Sequence, residues 1–184
     1  MRIKSIFLSL LLLTALSAGA QKYITKTGYI KFYSASPLEK IEAHNRQVNS
    51  VLDLATGGFV FKVLMKSFEF EKALMQEHFN ENYVESDKYP TATFVGKVIN
   101  IKDVNALKDG IYDVNVEGKL TLHGVSQDVK EKGTFEMKQG KFIGKAKFNI
   151  AVGDYKITIP GNVGNNISKT IEVTVDITLD KANM

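Results

Sequence analysis

Chemistry in this chain would have to be built on three histidines, His44, His78 and His123, and on carboxylates and hydroxyls, because there is no cysteine. Metal ligands recur at short spacing on one element, and catalytic zinc sites carry signatures such as His-Glu-x-x-His. Here His78 and Glu81 stand three apart on a segment of helical spacing, but that motif is absent and His44 and His123 fall on other strands or turns. The spacing predicts no metal site, and His123 reads as a turn residue whose ring bonds local backbone. A thiol nucleophile is excluded, and no Gly-x-Ser-x-Gly elbow presents a serine. Gly161-Asn162-Val163-Gly164 has glycines like those of a phosphate loop, yet it sits between strands with no helix N-terminus following it. The carboxylate pairs Glu69/Glu71 and Asp109/Asp113 fall in a helix start and a turn, where acidic side chains serve local structure. No catalytic residue, metal or cofactor is expected, and the chain reads as a non-enzyme.

The strongest functional set is apolar. Phe59, Phe61, Phe94, Phe135, Phe142 and Phe148 fall on the inward parity of their strands, and Phe68, Met75 and Phe79 could close one end from a helix. Gly118, Gly144 and Ala146 share that face with Leu120, Leu122 and Ile150, leaving gaps among large side chains. The set is either a packed core or the wall of an apolar pocket, and parity alone does not separate the two. If it is a pocket, Tyr29, Tyr89, His123 and Tyr155 are the candidates to meet a polar head group.

The elements that must position these residues are strands. From Ile167 to Leu179 the odd positions carry Ile171, Val173, Val175, Ile177 and Leu179 while Thr170, Glu172, Thr174, Asp176 and Thr178 fill the even ones. Such period-two alternation puts one face in a core and the other in water. It recurs from Tyr112 to Leu122 and from Lys141 to Ile150, and more weakly over Tyr23–Tyr33, Ile41–Leu54 (as two strands), Phe59–Met65, Thr91–Ile101, Val125–Met137 and Tyr155–Ile159. Eight to ten antiparallel strands follow, separated by turn signals such as Thr56-Gly57-Gly58, His123-Gly124 and Gln139-Gly140. One segment breaks the pattern: Ser67, Glu69 and Glu71 resemble a capped helix start, and Leu74, Met75, His78 and Phe79 recur at helical spacing, predicting a helix over Glu69–Tyr83. Half-buried strands in this number must stack as two sheets or close. The small inward residues favour closure into an all-β antiparallel barrel of about eight strands, with one short α-helix between strands.

The 184 residues divide into a leader and one domain. Met1 to Lys4 is a short basic start, Ile6 to Leu16 is apolar except for Ser9 and Thr14, and Ala18-Gly19-Ala20 supplies a cleavage signal. Residues 1–20 are therefore expected to be a signal peptide and residues 21–184 the exported domain, in the periplasm or secreted. The apolar run is too short to span a bilayer, and no second one follows, so the mature protein carries no integral membrane segment. Cleavage removes Arg2 and Lys4 and lowers the formal net charge of +4 by two. The remaining basic residues are scattered singly, which gives no footprint for nucleic acid. A homodimer is compatible with the sequence.

Tyr89-Pro90-Thr91-Ala92-Thr93-Phe94 leading into one strand, and Gly118-Lys119-Leu120-Thr121-Leu122-His123-Gly124-Val125-Ser126 running through a hairpin, carry a resemblance to the YceI-like family. Met65-Lys66-Ser67-Phe68 with the helix after it, and Phe148 to Asp154-Tyr155, extend the resemblance over the mature chain. It implies a lipocalin-like barrel in the periplasm that holds a polyisoprenoid or other long-chain lipid in its interior, as carrier or sequestering protein. The rival reading is a non-enzymatic interaction or stress-adaptation module with a filled barrel.

Overall fold

The computed structural model describes residues 21–161 and 166–182; the expected leader over residues 1–20, residues 162–165 with most of the phosphate-loop-like run, and residues 183–184 lie outside the described residues. Eight long strands, β1 (Lys22–Ala35), β2 (Lys40–Asp53), β3 (Gly58–Leu64), β5 (Thr91–Val98), β6 (Gly110–Leu122), β7 (Val125–Lys138), β8 (Lys141–Ala151) and β9 (Thr170–Lys181), pair antiparallel in sequence order. The pairing of β1 with both β2 and β9 closes them into a barrel. Closure pairs most of each strand on both sides, and such pairing limits the edge available to template other chains. A two-residue strand, β4 (Glu69–Phe70), adds to β2 at Ala43 and His44.

The tight hairpins come from their turn residues. His123 and Gly124 have φ of 50° and 72°, and Gln139 and Gly140 have 51° and 78°. Two consecutive positive φ values match the twist of the flanking strands. At Gly124 the position is closed to any side chain, because a Cβ there would meet the Tyr89 ring at 2.5 Å.

Three expectations are corrected. Ile41–Leu54 is one strand: inward positions run Ala43 and Asn45, then Val48, Ser50 and Leu52, because β2 bulges opposite Gly28 and shifts its parity. Buried Asn45 holds the bulge, donating Nδ2 to the Leu64 carbonyl at 2.8 Å and accepting from the Gln47 N–H at 2.8 Å. The predicted helix over Glu69–Tyr83 is shorter, with α1 spanning Ala73–His78 and a wider turn continuing through Phe79–Tyr83. Glu69 and Phe70 are held extended by β2, so the helix starts from Lys72 with no side-chain cap, and Ser67 instead ends a 3-10 turn. Tyr155–Ile159 is not a strand: Val152–Tyr155 form a 3-10 turn, Lys156 has a φ of 57°, and the chain then runs unpaired. Burial of Tyr155 and Ile157 in an irregular segment imitates alternation. Among the described residues, no helix is long and apolar enough to cross a membrane.

The interior is packed unevenly. At the end carrying the β7–β8 turn, Tyr23, Leu52, Met137, Phe142 and Leu179 are at most 2% exposed. At the other end Ala43, Val48, Val63, Met65, Phe68 and Val84 form a second buried cluster under α1 and its flanking turns. Between them, inward Phe61, Phe94, Ala146, Phe148 and Ile150 are only part-buried. Side chains that face inward without being enclosed line a space.

Candidate functional site

That space is a cavity of about 560 Å³, within the roughly 300–1,000 Å³ usual for ligand sites. Its floor is the aromatic layer of the packed end, where Phe59 meets Phe61 edge to face at 4.7 Å and Phe135 at 5.7 Å. Its other end reaches the β1–β2 turn and α1, where Glu39, Lys72 and Leu74 contribute to the lining and Lys72 pairs with Glu39 at 3.3 Å. Leu74 is 60% exposed at this rim, so the cavity extends toward solvent on the α1 side.

Most of the apolar set named from parity meets here. Phe59, Phe61 and Phe94 of β3 and β5 line the cavity, as do Leu120 and Leu122 of β6 and Phe135 of β7. Gly144, Ala146, Phe148 and Ile150 present β8 to it, and Phe68, Met75 and Phe79 close over it from the α1 region. Two residues of the set do not line it. Phe142, 0% exposed, lies beneath the floor against Tyr23 (4.7 Å, 70° between rings) and Phe135 (5.6 Å). Gly118 pairs with Gly96, and the ring of Phe94 lies across both: a Cβ on either would meet Phe94 Cζ, at 2.8 Å and 2.5 Å respectively. The gap inferred at Gly118 is filled by an aromatic ring from the neighbouring strand.

None of the four head-group candidates lines the cavity. Tyr29 is on the outward parity of β1, its hydroxyl 2.7 Å from His44 Nδ1 and its ring 4.8 Å from the Arg46 guanidinium. Tyr89 packs edge-on against His123 with 4.6 Å between centroids. His123 ties its turn to two other segments, with Nδ1 donating to the Tyr155 carbonyl at 3.1 Å and Nε2 lying 2.6 Å from a Glu85 carboxylate oxygen. Tyr155 is 4% exposed within the upper cluster. These residues brace the barrel wall and its end loops. The third histidine, His78, lines the rim from α1, and among the described residues no three His, Asp or Glu side chains converge as a metal site.

Besides aliphatic strand residues such as Ile30, Val63 and Val173, two kinds of lining residue fall outside the set named from parity. Phe32 and Phe70 join Phe68 and Phe79 in an aromatic collar, with centroids 5.1 to 5.7 Å apart. Phe32 was legible from the parity of β1, whereas Phe70 was hidden in the overlong helix. The other is Glu131, which shares the inward parity of β7 with Val129, Gly133 and Phe135. Burial holds its carboxyl above the usual carboxylate range. Tyr155 is likewise held above the usual phenol value, by burial first and then by the charges of Asp154 and Glu131. Apart from Glu131, the inward-facing side chains of the deep wall are apolar, while Lys132, Thr134 and Lys145 border the cavity from the outward parity of β7 and β8.

The YceI-like domain model matches residues 25–179. Among solved structures, a polyisoprenoid-binding domain from Saccharophagus degradans implicated in plant cell wall breakdown superposes with a TM-score of 0.77 at 15% identity, covering 88% of this chain and 98% of that one. Burkholderia cenocepacia BcnA gives 0.64 at 18% identity over 85% and 96%, and the Campylobacter jejuni YceI protein gives 0.52 at 13% identity over 100% and 92%. At such identities the likeness is one of fold. No curated protein matches the chain. The extent of the domain match makes the assignment: this chain belongs to the YceI-like family.

Proposed function

We propose that this protein holds a long apolar chain of the polyisoprenoid class inside its barrel, as a carrier or sequestering protein exported after loss of residues 1–20, and performs no chemistry on it. The observation that carries the reading is the cavity of about 560 Å³ walled by aromatic and aliphatic side chains. Each methylene moved from water into such a wall contributes about 0.8 kcal/mol, so chain length alone supplies affinity. The Saccharophagus degradans domain of the same fold, named for polyisoprenoid binding, supports the ligand class. The filled-barrel alternative requires a solid interior, which a cavity of this size does not fit.

The test is mass spectrometry of lipids extracted from natively purified protein. A stoichiometric long-chain isoprenoid or related lipid is expected. Repeated recovery of lipid-free protein that also takes up no long-chain lipid in vitro would end the carrier reading.

A further inference from the structure

Glu131 is the exception in the deep wall. Its partner in the β6 ladder is Val116, its neighbours on the inward face are Val129 and Gly133, and all four line the cavity. Burial is the cause that acts on its carboxyl, and among the described residues no hydrogen bond or salt bridge is made to it. The wall beside it is also incomplete. The β7–β8 ladder ends at Gly133 and Ala146, so β7 from Lys132 back to Val125 has no strand on that side. There it is bridged by Gln127 Nε2, which donates to the Asp154 carbonyl at 2.9 Å. Lys132 and Lys145 border this seam from the exposed outer parity, with Lys145 facing Asp176 at 4.0 Å.

A carboxylate can only accept hydrogen bonds, and leaving it half-buried without a donor is costly. A ligand that brings a donor removes that cost, whereas one that brings an anion adds like-charge repulsion inside a low-dielectric wall. Resting on the carrier reading above, we propose that Glu131 is the polar contact for the ligand inside the barrel and that it selects a chain bearing a hydrogen-bond donor, a hydroxyl, primary amide or ammonium, over one bearing a phosphate or carboxylate. The apolar wall binds the chain, and Glu131 discriminates the polar end.

The experiment strips bound lipid by solvent extraction and measures competition against a fluorescent long-chain probe. Four ligands share one carbon skeleton: geranylgeraniol, its diphosphate, the corresponding carboxylic acid and the hydrocarbon phytane. Wild-type protein is expected to bind the alcohol at least about tenfold tighter than the acid or the diphosphate. Glu131→Gln, which keeps size and polarity while removing charge, should shrink that preference by about tenfold and leave phytane unaffected. Glu131→Leu should erase the advantage of alcohol over phytane. If Glu131→Leu fails to fold, as judged by thermal melting, the Gln variant decides. Wild-type affinity for acid or diphosphate equal to that for alcohol, or a preference unchanged in Glu131→Gln, overturns the proposal while leaving the carrier reading in place. Failure of all four ligands to bind, phytane included, overturns both.

Discussion

The two halves of β7 show how one barrel is made both stable and hollow. From Gly133 to Lys138 the strand is laddered to β8, and Phe135 and Met137 are each 2% exposed. From Val125 to Lys132 it has no β8 partner, its inward side chains are part-buried, and one of them is Glu131. The laddered half belongs to the packed end with Tyr23, Phe142 and Leu179, and the other half borders the cavity. Close packing at one end supplies cohesion, so the other can forgo it and keep an open cavity.

The comparison is broken most severely by emptying the packed end. Phe142→Ala removes a ring that is 0% exposed and braced by Tyr23 and Phe135, and should cost about 3–5 kcal/mol in urea denaturation. Phe148→Ala, at a part-buried cavity position, should cost clearly less and lower lipid affinity instead. Equal losses of stability at the two sites would mean that the interior is uniformly packed.

A second test separates two glycines that look alike in sequence. Gly118→Ala would drive a methyl into the Val95 carbonyl and Gly96 Cα, both at 2.5 Å, as well as the Phe94 ring, and overpacking of this kind costs about 1–3 kcal/mol. At Gly144 the nearest contacts are side chains, Ile177 and Phe135, both at 3.0 Å. Gly144→Ala should be milder in thermal melting. The reverse order would contradict the placement of Phe94 over the Gly96–Gly118 pair.

A third test fills the hollow half directly. Ala146 lines the cavity between Gly144 and Phe148 on the inward parity of β8. Ala146→Phe should weaken binding of a fluorescent long-chain lipid by at least about tenfold, or 1.4 kcal/mol, while the lipid-free melting temperature is kept or raised. Lys147→Phe is the control: its outward side chain is 62% exposed and pairs with Glu172 at 2.8 Å, an interaction worth about 0–1 kcal/mol. A large drop in lipid-free stability for Ala146→Phe, with no lipid binding by the wild type, would show that the space at Ala146 is already occupied.

How much of this was legible in the sequence depends on whether a feature is local. The alternation of β6, β8 and β9 is written residue by residue, so the barrel and most of its lining follow from parity. The shifted parity of β2 is not, because it depends on a bulge whose partner is Gly28 on another strand. Phe70 was misplaced for a related reason: helical spacing is local, but its pairing with Ala43 is not. Phe142 and Phe135 have the same parity signal, yet one lies beneath the floor and the other forms it, a distinction of depth that period two does not encode. The tyrosines and His123 are head-group candidates by their chemistry, and the fold places that chemistry in its wall and turns. Glu131 stood on an inward parity between Lys130 and Lys132, and only the cavity shows what that position means.

The smallest effect, and the sharpest on the hollow half alone, is the pH dependence contributed by Glu131. Burial raises its carboxyl in the folded protein, so over the interval between the unfolded and folded values the native state holds a proton that the unfolded chain has released. Stability then falls as pH rises. The contribution is fully present below the unfolded carboxylate value and is lost as pH rises through the raised folded one. Glu42 acts in the opposite sense, since the hydrogen bond from Lys31 lowers its carboxyl, and its contribution is lost as pH falls. Tyr155, which feels the charge of Glu131, is raised further above an already alkaline value and does not titrate in this interval. Comparing wild type with Glu131→Gln cancels these shared terms. Urea midpoints measured from acid to neutral pH should show the wild type losing stability relative to the variant as pH rises. Parallel curves would mean that the Glu131 carboxyl is as well solvated in the barrel as in the unfolded chain, and would remove the electrostatic difference between the two halves of β7.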